Sequence, residues 1–127
     1  MRKETELAKI PERVEAGMSR APGVSISDLK DRIIIDDLII GCPVNCITGQ
    51  LYGEFVLWLV HTKVEQKHVV DLGMQTPNFR KPDGSLDENA VRRYDRQLQA
   101  EWHKRLTNLQ SERNEAPVVQ AHVLEPA

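Results

Sequence analysis

The sequence predicts an α+β fold, with a small, mainly antiparallel sheet over about residues 24–76, a short helix before it and a long amphipathic helix over 85–113 after it. Two observations lead there. Between Pro22 and Asn89 the chain contains no alanine and is crowded with isoleucine, valine and threonine, side chains that suit a pleated surface and lose rotamer freedom in a helix. From Ser85 onward the preference reverses, and only Val91 and Thr107 are β-branched before Asn114. An all-α bundle is the alternative, because short apolar runs do not distinguish a strand from a buried helix by periodicity.

Residues 1–23 read as an N-terminal arm. Leu7, Ile10, Val14 and Met18 fall at helical spacing, Pro11 suits a first helical turn, and Pro22 and Gly23 end the segment. Within Arg32 to Ile40 the polar residues Arg32, Asp36 and Asp37 gather on no helical face, which favours two short strands or one kinked strand. Gly53 to Glu65 alternates, with Val56, Trp58, Val60, Thr62 and Val64 on one face and Phe55, Leu57 and Leu59 on the other, as in a strand covered on both sides. Val69 to Leu72 then returns as a hairpin partner, and at least three strands are expected in all. The rival for this run is a buried helix from Leu51 to Lys67.

Gly73 to Gly84, with Pro77, Pro82 and Asp83, reads as a connector. Ser85 and Glu88 have capping-box spacing, which places a helix start at Ser85. At about 100° per residue, Val91, Tyr94, Leu98, Trp102, Leu106 and Leu109 form one apolar seam. Such a seam needs a partner surface, either the sheet of the same chain or a second copy, so a homodimer is expected. The domain organisation is an arm over 1–23, one globular domain over 24–113 and a loosely ordered tail over 114–127.

Opposite the seam, Arg92, Arg93, Arg96, His103 and Lys104 form a cationic ridge, while Asp87, Glu88, Asp95, Glu101 and Glu112 lie beside or near the seam. The bland reading is a solvated face. The functional reading is a binding surface for an acidic protein partner, with nucleic acid as the alternative through the same ridge. A protein partner is favoured because the formal net charge is −2 and no aromatic side chain interleaves with the cations.

Cys42, Cys46, His61 and His68 read C-x3-C, fourteen residues, then H-x6-H. Zinc sites of the two-Cys two-His type want histidines three to five residues apart, so these four are weak metal candidates. Glu65 and His68 resemble one half of a di-iron site, but the second half is missing from the sequence. Leu38 to Tyr52 suggests a helix-turn-helix, yet the following Phe55 to Val60 offers almost no polar side chain for base edges. No nucleophile elbow or glycine-rich phosphate loop is present, and no cofactor is expected. An acid- and base-rich first twenty residues, no long apolar run and only two cysteines point to a cytoplasmic protein with no membrane partner. The functional expectation is a non-enzymatic accessory or adaptor protein that uses the basic face of its long helix. The alternative is a small ligand-binding or metal-dependent protein with a site between helix and sheet.

Overall fold

The computed structural model describes the backbone of residues 3–124 and the side chains of residues 3–112. It is helical, with 62% helix and 2% strand. The helices are α1 (Lys3–Ala8), α2 (Ile10–Arg20), α3 (Ile26–Asp31), α4 (Ile47–Tyr52), α5 (Phe55–Thr62) and α6 (Glu88–Leu124), with single 3-10 turns at Ile35–Asp37 and Gln66–His68. The expected sheet over 24–76 is absent among the described residues, which corrects the α+β class and agrees with the all-α alternative. A lone antiparallel bridge, Arg80 to Leu86, closes a tight loop ahead of α6.

The reason lies in how the extended residues satisfy their backbones. Ile34 (φ −94°, ψ 106°) and Leu38 (φ −69°, ψ 120°) do adopt the extended conformation that β-branched neighbours favour. Turn bonds, Leu38 N to Ile35 O and Asp37 N to Ile34 O, use part of their backbone, and the other partners are glutamine side chains. The Gln50 amide accepts from Ile34 N at 2.7 Å and donates to Ile34 O at 3.1 Å. Gln99, on α6, accepts from Ile40 N at 2.8 Å and donates to Leu38 O at 2.5 Å. Gln110 donates to Ile33 O at 2.8 Å and Leu29 O at 3.1 Å. A primary amide presents a donor and an acceptor much as a peptide group does, so these side chains stand where a strand edge would.

The run whose alternation predicts a two-sided strand is α5. Trp58 is fully buried, with its indole N–H donating to Pro22 O at 2.7 Å. Val56 and Val60, which a strand would place beside Trp58, are 56% and 67% exposed. Lys63 stops the helix in the left-handed region at φ 58°, its N–H returning to Leu59 O at 2.9 Å. Val69 to Leu72 forms successive turns in place of a hairpin strand, with Leu72 N donating to His68 O and Gly73 N to Val70 O.

Two of the short helices carry side-chain caps. Ser25 and Asp28 complete a capping box on α3 at 3.0 and 3.3 Å, and the Cys46 thiol accepts from Gly49 N at 3.3 Å to open α4. The start expected at Ser85 is displaced by two residues. Asp87 accepts from Ala90 N at 3.1 Å, and Ser85 turns back to Asp83 at 2.6 Å. Helix α6 runs beyond the expected end at 113; residues 125–127 of the expected tail, and every side chain after 112, lie outside the described residues.

The core forms along α6. Tyr94, Leu98, Trp102 and Leu106 are fully buried, and Val91 and Leu109 pack at its margin. Ile10 and Val14 of the segment expected as an arm belong to the same core, as do Leu29, Ile47, Trp58 and Val69. Trp102 donates to Gly73 O at 2.6 Å. Opposite it stands Gly17 of α2, where a Cβ would fall on the Leu72 carbonyl oxygen and within 2.9 Å of the Trp102 ring. Alanine is a better helix former than glycine by about 1 kcal/mol, but at position 17 the clash prevails. Gly17→Ala should therefore lower the denaturation midpoint; a midpoint at or above wild type would contradict this packing.

A polar network ties α1 and α2 to α6. Arg13, with 8% of its side chain exposed, donates to the Tyr94 hydroxyl and to Glu6, each at 2.8 Å, and Lys9 reaches Glu6 at 3.2 Å. Burial opposes ionisation of Glu6, but hydrogen bonds from Arg13 and Lys9 outweigh it and hold the carboxyl below its ordinary 4.5. A lowered folded-state pKa contributes stability that is complete above the unfolded value and is lost as pH falls through the folded one. Wild-type protein should thus lose more stability below about pH 4.5 than Glu6→Gln does, measured as urea midpoints across that range. Parallel pH curves would contradict the network.

Candidate binding site on the long helix

The outward face of α6 carries the ridge. Arg92, Arg93 and Arg96 are exposed, and among the described residues Arg92 bonds only to Asn89, at 3.3 Å. Among the described residues Arg93 and Arg96 have no hydrogen-bond or ion-pair partner. His103 and Lys104 extend the same face by roughly 12 Å beyond Arg96. His103 lies 3.5 Å from the Thr107 hydroxyl and Lys104 lies 3.9 Å from Glu101. Arginines on the inner side of the structure are engaged instead: Arg105 pairs with Glu101 and Glu15, each at 2.7 Å, and Arg13 with Glu6.

Beside the ridge is an open cavity of about 250 Å³. Its apolar walls come from Ile40, Pro43, Cys46, Phe55 and Met74, and its polar side from Gln75, Thr76 and Asp95. Asp95 also lines the shallow groove of Asn89, Arg92, Arg93 and Arg96, so the cavity and the ridge meet at this carboxylate. One Asp95 oxygen accepts from the Thr76 hydroxyl. The other, Oδ2, faces Gly41 and has no partner among the described residues; a Cβ on Gly41 would stand 3.3 Å from it. The Gln99 clamp on Leu38 and Ile40, one turn along α6, fixes the loop that forms this wall.

Sequence inspection identified the ridge but not the cavity. Its walls lie far apart in the chain, and the single local sign was an acidic residue, Asp95, at the edge of the apolar seam.

The weak metal candidates are not brought together. Cys42 is half-buried, and buried Cys46 caps α4 with its thiol 3.6 Å from the Thr48 hydroxyl. His61 is exposed and packs edge-on against Tyr52, and His68 is exposed in a 3-10 turn. Among the described residues no group of three or more histidine, cysteine or acidic side chains is placed to hold a metal ion. Helices α4 and α5 do form consecutive helices joined at Gly53 (φ 90°), but the outward residues of α5 are Val56, Leu57, Val60 and His61, three of which offer a base edge no hydrogen bond. No described helix is long and apolar enough to cross a membrane.

The chain matches no protein-family model, no curated protein and no solved structure.

Cys46 is engaged in capping and both of these histidines face solvent, so the four side chains are not arranged as a shared zinc site. Incubation with a strong chelator should leave the melting temperature unchanged, with zinc well below one equivalent per chain. One tightly held zinc whose removal unfolds the protein would overturn this placement.

Proposed function

We propose that this protein is a non-enzymatic accessory or adaptor protein that binds an acidic segment of another protein along the ridge of α6. The observation that carries the reading is that Arg93 and Arg96 reach solvent with no hydrogen-bond or ion-pair partner among the described residues, whereas Arg13, Arg32 and Arg105 each hold a carboxylate. Guanidinium groups left open in a row suit carboxylates, which they grip bidentately. The apolar seam is occupied within the chain, so the basic face is the side of α6 left for a partner. A nucleic-acid partner draws less support. The ridge contains no aromatic residue for base stacking, and the formal net charge is −2.

Magnitudes show what the ridge supplies. Exposed ion pairs contribute about 0.2–1 kcal/mol each, so three of them stay under the roughly 4.1 kcal/mol that even a millimolar complex requires. The ridge steers and orients a partner, and affinity must be completed by a contact outside it.

Reversing Arg92, Arg93 and Arg96 to glutamate tests this reading. The positions are exposed, so the far-ultraviolet spectrum and melting temperature should stay close to wild type. Affinity capture from the source cell should recover an acidic protein with wild type, decreasingly as salt rises, and lose it with the triple variant. A partner that survives the reversal, with no salt dependence, would reduce the ridge to solubilising charge.

A further inference from the structure

We infer that the acidic segment is anchored by one tryptophan or tyrosine side chain that enters the cavity beside Asp95, an inference that rests on the proposed binding to the ridge. Size decides first. At about 250 Å³ the cavity lies just below the roughly 300–1,000 Å³ of sites for free small molecules, and it suits a single large side chain. Position decides next, because Asp95 lines both the cavity and the groove of Arg92, Arg93 and Arg96. Residues flanking an anchor seated there lie over the guanidinium groups. An apolar pocket with a charged rim is the usual arrangement of a binding hot spot, and aromatic anchors dominate such sites.

Asp95 selects among the large side chains. Its Oδ2 points toward the cavity side at Gly41 and lacks a partner among the described residues, so an occupant that covers it without donating a hydrogen bond leaves a desolvated carboxylate oxygen. Phenylalanine and leucine match the walls of Ile40, Phe55 and Met74 but carry no donor. Tryptophan and tyrosine match the walls and bring an N–H or O–H to the oxygen. Lysine would also donate, but it would place a further cation beside Arg92 and Arg96.

The test uses the full chain and an array of synthetic peptides in which glutamate-rich flanks are constant and the central residue is varied through all twenty amino acids. Peptides centred on tryptophan or tyrosine should bind about tenfold or more tightly than the serine-centred peptide, with phenylalanine between them. Gly41→Leu, whose new side chain projects toward Asp95 from a backbone with no left-handed φ, should abolish the preference for an aromatic centre and leave serine-centred binding unchanged. Asp95→Leu should raise phenylalanine to the level of tryptophan. Equal binding of all centres by wild type, still lost on reversal of Arg92, Arg93 and Arg96, would overturn the anchor and leave the ridge. Binding that ignores both the centre and the triple reversal would overturn the two together. The comparison of centres on wild type stands even if either variant fails to fold.

Discussion

The hydrophobic core of this structure is built on the burial of one face of α6. The other helices described are at most eleven residues long, below the roughly 12–15 at which an isolated helix becomes even marginal in water. None of them has a sheet to lean on. They are held because Tyr94, Leu98, Trp102 and Leu106 present a continuous apolar surface against which Val14, Leu29, Ile47 and Trp58 complete a core. Full burial of a large apolar side chain contributes about 1.5–3 kcal/mol, so loss of this seam would remove most of what offsets the entropy of ordering the five short helices.

Polar side chains on the flanks of the seam convert that burial into a unique arrangement. Gln99 and Gln110 clamp the carbonyl and amide groups of the 29–40 segment, Trp102 holds Gly73, and Arg13 holds Tyr94. Each of these bonds joins α6 to a backbone or side-chain group at least 29 residues away in sequence. They also position the candidate site, since the Gln99 clamp sets the loop that faces Asp95 and the turn at Gly73 leads into Met74, Gln75 and Thr76 on the other wall. Core and ridge thus occupy opposite faces of one helix.

How much of this was legible follows from the range of each interaction. The seam and the ridge could be read because both obey the 3.6-residue period within a single element. The start of α6 was misplaced by two residues because Ser85 and Asp87 compete for the cap, and the loop geometry that favours Asp87 includes its ion pair with Lys3 at 2.6 Å, far along the chain. The strands were misread for a related reason. Ile34 and Leu38, on either side of the 3-10 turn, are extended, but a ladder also needs a partner, and nothing local reveals that Gln50, Gln99 and Gln110 occupy that place. In α5 the alternation of large apolar residues fitted strand and helix alike, and the burial of Trp58 against Pro22 decided between them. The cavity was illegible because Pro43, Phe55, Met74 and Asp95 meet only in the finished fold.

Native-state hydrogen exchange tests the dependence on α6 most directly. If the buried face of α6 supports the rest, the amides of residues 94–106 exchange only through global unfolding, and those of α2, α3, α4 and α5 reach no greater protection. Protection in α4 and α5 that outlasts the opening of α6 would contradict the account, because it would show a folded unit that stands without the long helix.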